Sequence, residues 1–303
     1  MITLNSERGL ESVEDWTEVL SLPGFTEKLN PKKHQLKEII GNYLFKDKVA
    51  CGLQSCRTPH SKGYIVTTKT GQITNIGNMC GKNHFGVDFQ SQSNVFKRKV
   101  TEHNNRERIS QFQFHIEEHF SKLELLRKGE HGADIINKNA KSLISSNKNC
   151  PSVIIDEVRK IIRARDGSII IPRIASSGEI ETLEASQNRT LPRPYYIDEV
   201  KGHLKGIEAL YPENDLRELL IVDISQNLTL LDGFDSDSGV YRDLSHWSKW
   251  CGEFENKILS AEKIIKQGVA LLEADNLLQL TQFIDTPDEM KSFKRWVNQN
   301  KLV

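Results

Sequence analysis

This chain is short of the residues that staple small secreted folds. Only 5 of its 303 residues are cysteine, 9 are proline, and aromatic residues make up 7%. An odd number of cysteines makes a poor disulfide framework. The first residues, Met1 to Arg8, also lack the apolar stretch of a signal peptide. Both features lead to the expectation of a cytoplasmic protein in a reducing compartment. Apolar residues amount to 37% and never run to the ~18 in succession that a membrane span needs, so no membrane partner is expected. There is no P-loop, no Gly-x-Gly-x-x-Gly, no Gly-x-Ser-x-Gly and no His-Glu-x-x-His. Net charge is absent too, with 41 basic residues against 41 acidic. Zero argues against a uniformly basic nucleic-acid binder, but only as an average over the chain.

Most of what is present has helical periodicity. Residues 10–20 carry Val13, Trp16, Val19 and Leu20 at helical steps, and 31–45 carries Leu36, Ile39, Ile40 and Leu44 on one side. A long helix is predicted over 93–127, with further helices over 133–144 and 152–164. Over 252–284, Phe254, Ile258, Ala261, Ile265, Gly268 and Leu272 form a heptad seam, predicting a coiled-coil-like segment. Two stretches break this pattern. Gly63 to Thr68 and Gln72 to Ile76, joined by Lys69-Thr70-Gly71, predict a β-hairpin, and a second hairpin is expected near 168–183. The fold class expected is mainly α, with an inserted β-hairpin module. The predicted organisation is N-terminal helices over 1–45, the module over 46–92, and a long helix, helical segments and hairpin over 93–184. A linker over 185–195 then leads to an acidic helical domain over 196–303.

Three of the five cysteines flank the first hairpin, in Cys51-Gly-Leu-Gln-Ser-Cys56-Arg-Thr-Pro-His60 and Met79-Cys80-Gly-Lys-Asn-His84. Soft thiolates with imidazole, in two clusters separated by a hairpin, are the donor set of a structural Zn²⁺ site. Cys51, Cys56 and Cys80 are the expected thiolates. His60, beside the stiffening Pro59, is the preferred fourth ligand. His84 is the alternative: it shares a face with Cys80 if a helix starts there, but Gly86 and Val87-Asp88-Phe89 speak against a helix at that point. Gly52 and Gly81 are expected to let backbone N–H groups approach the sulfurs. Over about 40 residues, 49–89, the order of turn, hairpin and second ligand cluster resembles treble-clef and zinc-ribbon modules. The first knuckle is Cys-x4-Cys where those modules usually have Cys-x2-Cys.

Charge is segregated along the chain. Residues 46–108 hold eleven basic side chains against four acidic, and 212–290 six against sixteen. A basic module with Tyr64, Phe85, Phe89 and Phe96 nearby suits phosphate neutralisation and base stacking. Arg57, Lys62, Lys69 and Lys82 are therefore the candidate nucleic-acid contacts. The expected function is a non-enzymatic, zinc-containing binding or adaptor protein that contacts DNA, RNA or a nucleoprotein. One alternative is self-association or protein docking through the helices, with the zinc as a clip; another is a metal-dependent nuclease. The helices at 133–144 and 152–164 followed by a hairpin outline a winged helix, but the near-neutral surroundings and the commonness of that outline favour a plain structural reading.

Overall fold

The computed structural model describes residues 2–6, 9–145 and 150–301. They divide into two compact units, 1–111 with 235–249 and 112–234 with 250–303.

The first unit is built on a five-stranded antiparallel sheet in the order β2-β1-β3-β4-β5. Its strands are β1 (Ile2–Ser6), β2 (Gly9–Val13), β3 (Leu36–Ala50), β4 (Pro59–Thr68) and β5 (Ile73–Gly77). The N-terminal helices expected over 1–45 are thus replaced by strands, apart from a single helical turn and a half, α1 (Trp16–Leu20). Asp15 starts that helix with a capping box completed by Glu18. The misleading spacing in β3 has a structural cause. Its register against β4 shifts between Leu36 and Glu38, Ile39 and Gly41, and Leu44 and Val49. The first two shifts each insert one residue and the third inserts three, so the apolar positions recur at three and four instead of two, while β-branched and aromatic residues still favour the strand. The hairpin of β4 and β5 forms where expected and turns through Gly71, whose φ of +80° suits glycine.

Two apolar clusters hold this unit together. Ile2, Val13, Val19, Tyr43 and Ile65 form one, with Trp16 and Val49 against it. Leu29, Ile39, Cys51, Leu53, Tyr64, Val66, Ile76, Phe89 and Phe96 form the other, with Cys56 and Cys80 against it. The last two aromatics come from α2 (Asn78–Phe114), which follows β5 directly and starts fifteen residues before the predicted 93. Gly86 accounts for the difference: at φ +60°, ψ −135° it kinks the helix, which nevertheless resumes beyond it.

In the second unit, α3 (Ile116–Lys128) ends at Gly129, and α4 (Ala133–Ser142) begins after Gly132. The periodicity of α5 (Ser152–Ala164) was legible to the residue, and Ile154, Ile155, Val158 and Ile161 are buried. The second hairpin is different from the one expected. β6 (Ser168–Ile174) pairs with β7 (Tyr196–His203), not with 179–183. Ser176 and Glu179 form a capping box that turns 179–183 into part of a helix, α6 (Ser177–Gln187). That local signal outweighs the weak alternation of Glu179 to Leu183. After a π-helical segment (Glu218–Ser225) come α7 (Gln226–Asp232), α8 (Tyr241–Leu271), α9 (Ala274–Leu278) and α10 (Pro287–Asn300). The expected heptad seam, apart from Leu272, lies on α8 and is covered by the chain itself. Phe254, Ile258 and Ala261 are fully buried, Phe112 packs edge-on to Phe254, and Ile136 of α4 sits directly on Gly268. Among the described residues, no helix is long and apolar enough to cross a membrane.

Candidate metal centre

The knuckle between β3 and β4 is folded by its own backbone. Cys51 N–H donates to Thr58 O (3.1 Å), and the amides of Cys56 and Arg57 both donate to Leu53 O (3.1 and 3.3 Å). Leu53, fully buried, anchors the turn. These bonds curl the four-residue spacer back on itself, so Cys56 returns to Cys51 despite the longer spacing. Cys80, the third residue of α2, completes the group: the three Sγ atoms lie within 4.8 Å of one another. Such a trio of thiols can hold a metal ion. Cys56 and Cys80 Sγ are 3.0 Å apart.

The protonation pattern follows from this proximity. Burial pushes the Cys51 thiol up, against backbone donation from the Leu53 and Gly77 amides. Cys56 is held down to about 7, first by the Cys80 thiol donating to it and then by Thr58. Cys80 is pushed up to about 12, mainly by burial and then by sharing its proton with Cys56. One of the pair is thus set to be a thiolate near neutral pH, the form that binds metal. The Gly52 amide donates to Asn75 O (2.8 Å) and not to a sulfur, and both Gly52 and Gly81 stand where packing leaves no room for a side chain. A Cβ on Gly52 would meet Thr74 Oγ1 at 2.0 Å, and one on Gly81 would meet the Phe89 ring at 2.3 Å.

The two candidate histidines are placed very differently. His60 pairs with Val49 across β3–β4, and its ring stacks on Tyr43 (centroids 5.8 Å apart, planes at 24°). It therefore belongs with the cluster around Tyr43 and Ile65, while the cysteines pack with the cluster around Leu53 and Phe89. Its Nδ1 lies 3.0 Å from the Tyr43 hydroxyl, which also accepts from Asn75 Nδ2 at 3.3 Å. His60 Nε2 is buried without a partner among the described residues, and His60 is not part of the thiol group. Burial lowers the His60 pKa. Tyr43 and Asn75 had no sequence signal, because only the sheet brings residues 43, 60 and 75 together. His84 is exposed, one helical turn after Cys80 on α2, and lines a recess with Asn30, Pro31, Lys32, Gln54 and Ser55.

All four candidate nucleic-acid contacts are exposed, on different elements. Arg57 lies in the knuckle, where its guanidinium donates to Glu27 O (2.8 Å); Lys69, at the hairpin turn, donates to Gln35 Oε1 (2.9 Å). Lys62 on β4 shares a groove with Lys97 and Tyr64, and Lys82 is on the first turns of α2. Three of the four aromatic residues expected to stack on bases are committed to the core: Tyr64, Phe89 and Phe96 are 3%, 0% and 4% exposed. The basic residues of the winged-helix outline are likewise engaged. Arg159 donates to Ile144 O, Lys160 pairs with Glu157, and Arg165 forks onto Glu213.

No protein-family model matches the chain, and no curated protein or solved structure matches it either.

Proposed function

We propose that the segment 46–92 is a structural zinc module, and that the chain is a non-enzymatic binding protein which presents this module to nucleic acid or a nucleoprotein. The gathering of Cys51, Cys56 and Cys80 Sγ within 4.8 Å carries the reading. A donor set dominated by soft thiolates suits Zn²⁺, and thiolate-rich sites are closed and structural, not catalytic. Zinc would tie the knuckle to the start of α2 and add folding free energy to a small unit. With the aromatics buried, the affinity for nucleic acid would be electrostatic, from Arg57, Lys62, Lys69 and Lys82 onto phosphates. The reducing compartment expected from the cysteine count keeps the thiols available.

Native mass spectrometry of the full chain should show one zinc, lost in Cys80→Ser; a folded, metal-free wild-type chain would overturn the metal reading. Anisotropy titrations of the zinc-loaded chain against a labelled single-stranded DNA and a labelled RNA hairpin test the second half. Affinity should fall steeply with salt, with a log–log slope of about −0.7 per neutralised phosphate for the single strand, and should weaken on charge reversal at Lys62, Lys69 and Lys82. Absent or salt-insensitive binding would sink it.

A further inference from the structure

Zinc in a structural site takes four ligands in a tetrahedron, and the thiol group supplies three. We propose that His84, from the first turns of α2, is the fourth ligand, making the site Cys51, Cys56, Cys80 and His84. This rests on the metal reading above and extends it to the completed ligand set.

Two observations carry it. The first is helical geometry. α2 begins at Asn78, ahead of Cys80, and Gly86, its kink, lies beyond His84. Cys80 and His84 therefore stand at i and i+4 on one helix face, with Cβ atoms about 5–6 Å apart, the spacing by which helices offer paired side chains to a single metal ion. The second is what lies opposite. His84 lines its recess together with Gln54 and Ser55, the two residues before Cys56. Its side chain is thus already beside the knuckle, exposed, with no hydrogen bond or ion pair among the described residues to hold it elsewhere.

His60 faces the opposite situation. Its ring is wedged over Gly77, where a Cβ would lie 2.9 Å from its Cδ2, and its Nδ1 is tied to Tyr43. Its Nε2, buried without a partner among the described residues, makes it the rival ligand, but it packs with the Tyr43 and Ile65 cluster while the thiols pack with that of Leu53 and Phe89. On this assignment His60 is a packing residue of β4. The completed site takes two ligands from the knuckle and two from the helix, so the metal fastens the one to the other.

X-ray absorption at the zinc edge of the zinc-loaded full chain separates the possibilities. Wild-type protein should show three sulfur ligands and one imidazole, the latter recognised by its outer-shell scattering. His84→Ala should lose the imidazole signal, keep three sulfurs and lose zinc to a competing chelator at least about tenfold more readily. His60→Ala should keep the wild-type spectrum, and His84→Cys should give four sulfurs and retain zinc. An imidazole that persists in His84→Ala, one that disappears in His60→Ala, or a wild-type site without imidazole overturns the assignment while leaving the metal reading intact. A wild-type chain that binds no zinc overturns both.

Discussion

Replacing Gly81 with alanine sets two effects of opposite sign against each other. Helix propensity alone favours the change by about 1 kcal/mol, because glycine is a poor residue inside a helix. The packing is against it. A Cβ at Gly81 would stand 2.3, 2.4 and 2.5 Å from Cζ, Cε1 and Cε2 of Phe89, over 1 Å inside the ~3.5–4.0 Å of an ordinary carbon contact. Phe89 cannot give way, since it is fully buried and held edge-to-face on Tyr64 with centroids 5.4 Å apart. The strain must move the first turn of α2, which carries Cys80. Overpacking of this kind costs about 1–3 kcal/mol, and so deep an overlap belongs at the upper end. The net result should be a loss of about 2 kcal/mol in the first unit. Native-state hydrogen exchange of the β4 and β5 amides reads that unit directly, and those limited by its global opening should exchange roughly thirtyfold faster. Gly178→Ala is the internal control: nothing lies within 4 Å of its Cβ position near the start of α6, so the same substitution should stabilise by about 0.5–1 kcal/mol. Adding Phe89→Leu to Gly81→Ala should recover part of the loss, a favourable coupling between neighbours. Slower or unchanged exchange in Gly81→Ala would refute the packing of α2 on the sheet.

Other substitutions probe other parts of the molecule. Tyr43→Phe removes the hydroxyl that meets both His60 Nδ1 and Asn75 Nδ2, and should cost about 1–3 kcal/mol in urea denaturation. Ser176→Ala removes the cap of α6, and should destabilise by about 1 kcal/mol and speed exchange of the first α6 amides; no change there would restore the hairpin reading of 179–183. In the second unit, Asp223 accepts from Trp250 Nε1 (3.0 Å), Asn227 and Lys257. Burial works against its charge, but the Lys257, Trp250 and Asn227 contacts together hold its pKa below the ordinary aspartate value. The folded pKa is the lower one. Its stabilisation is therefore complete above the unfolded pKa of about 3.9 and is lost as pH falls through the folded value. Asp223→Asn should cost about 1–3 kcal/mol at neutral pH and flatten that part of the acid-unfolding curve; a parallel curve would count against it.

The features legible in the sequence are those set by neighbours along the chain. The β4–β5 hairpin follows from Lys69-Thr70-Gly71 between two β-type runs, and α5 from an uninterrupted apolar face. The gathering of the thiols follows from cysteines placed on either side of that hairpin. Each needs only local turns, periodicity and residue chemistry. Tertiary structure decided the rest. Bulges in β3 gave a strand the spacing of a helix, and only its pairing with β1 and β4 makes it one. β6 found its partner across α6, a choice set by non-local ladder hydrogen bonds and by the capping box at Ser176. The aromatics near the basic segment went to the core because the sheet and α2 offer them burial worth about 1.5–3 kcal/mol each, which solvent does not. Packing also separates the histidines, placing His60 against Tyr43 and His84 beside the knuckle. Residue type and spacing made three cysteines and two histidines candidates for one metal ion. Which side chains can reach it depends on the face each one occupies, and that is a property of the folded sheet and helix.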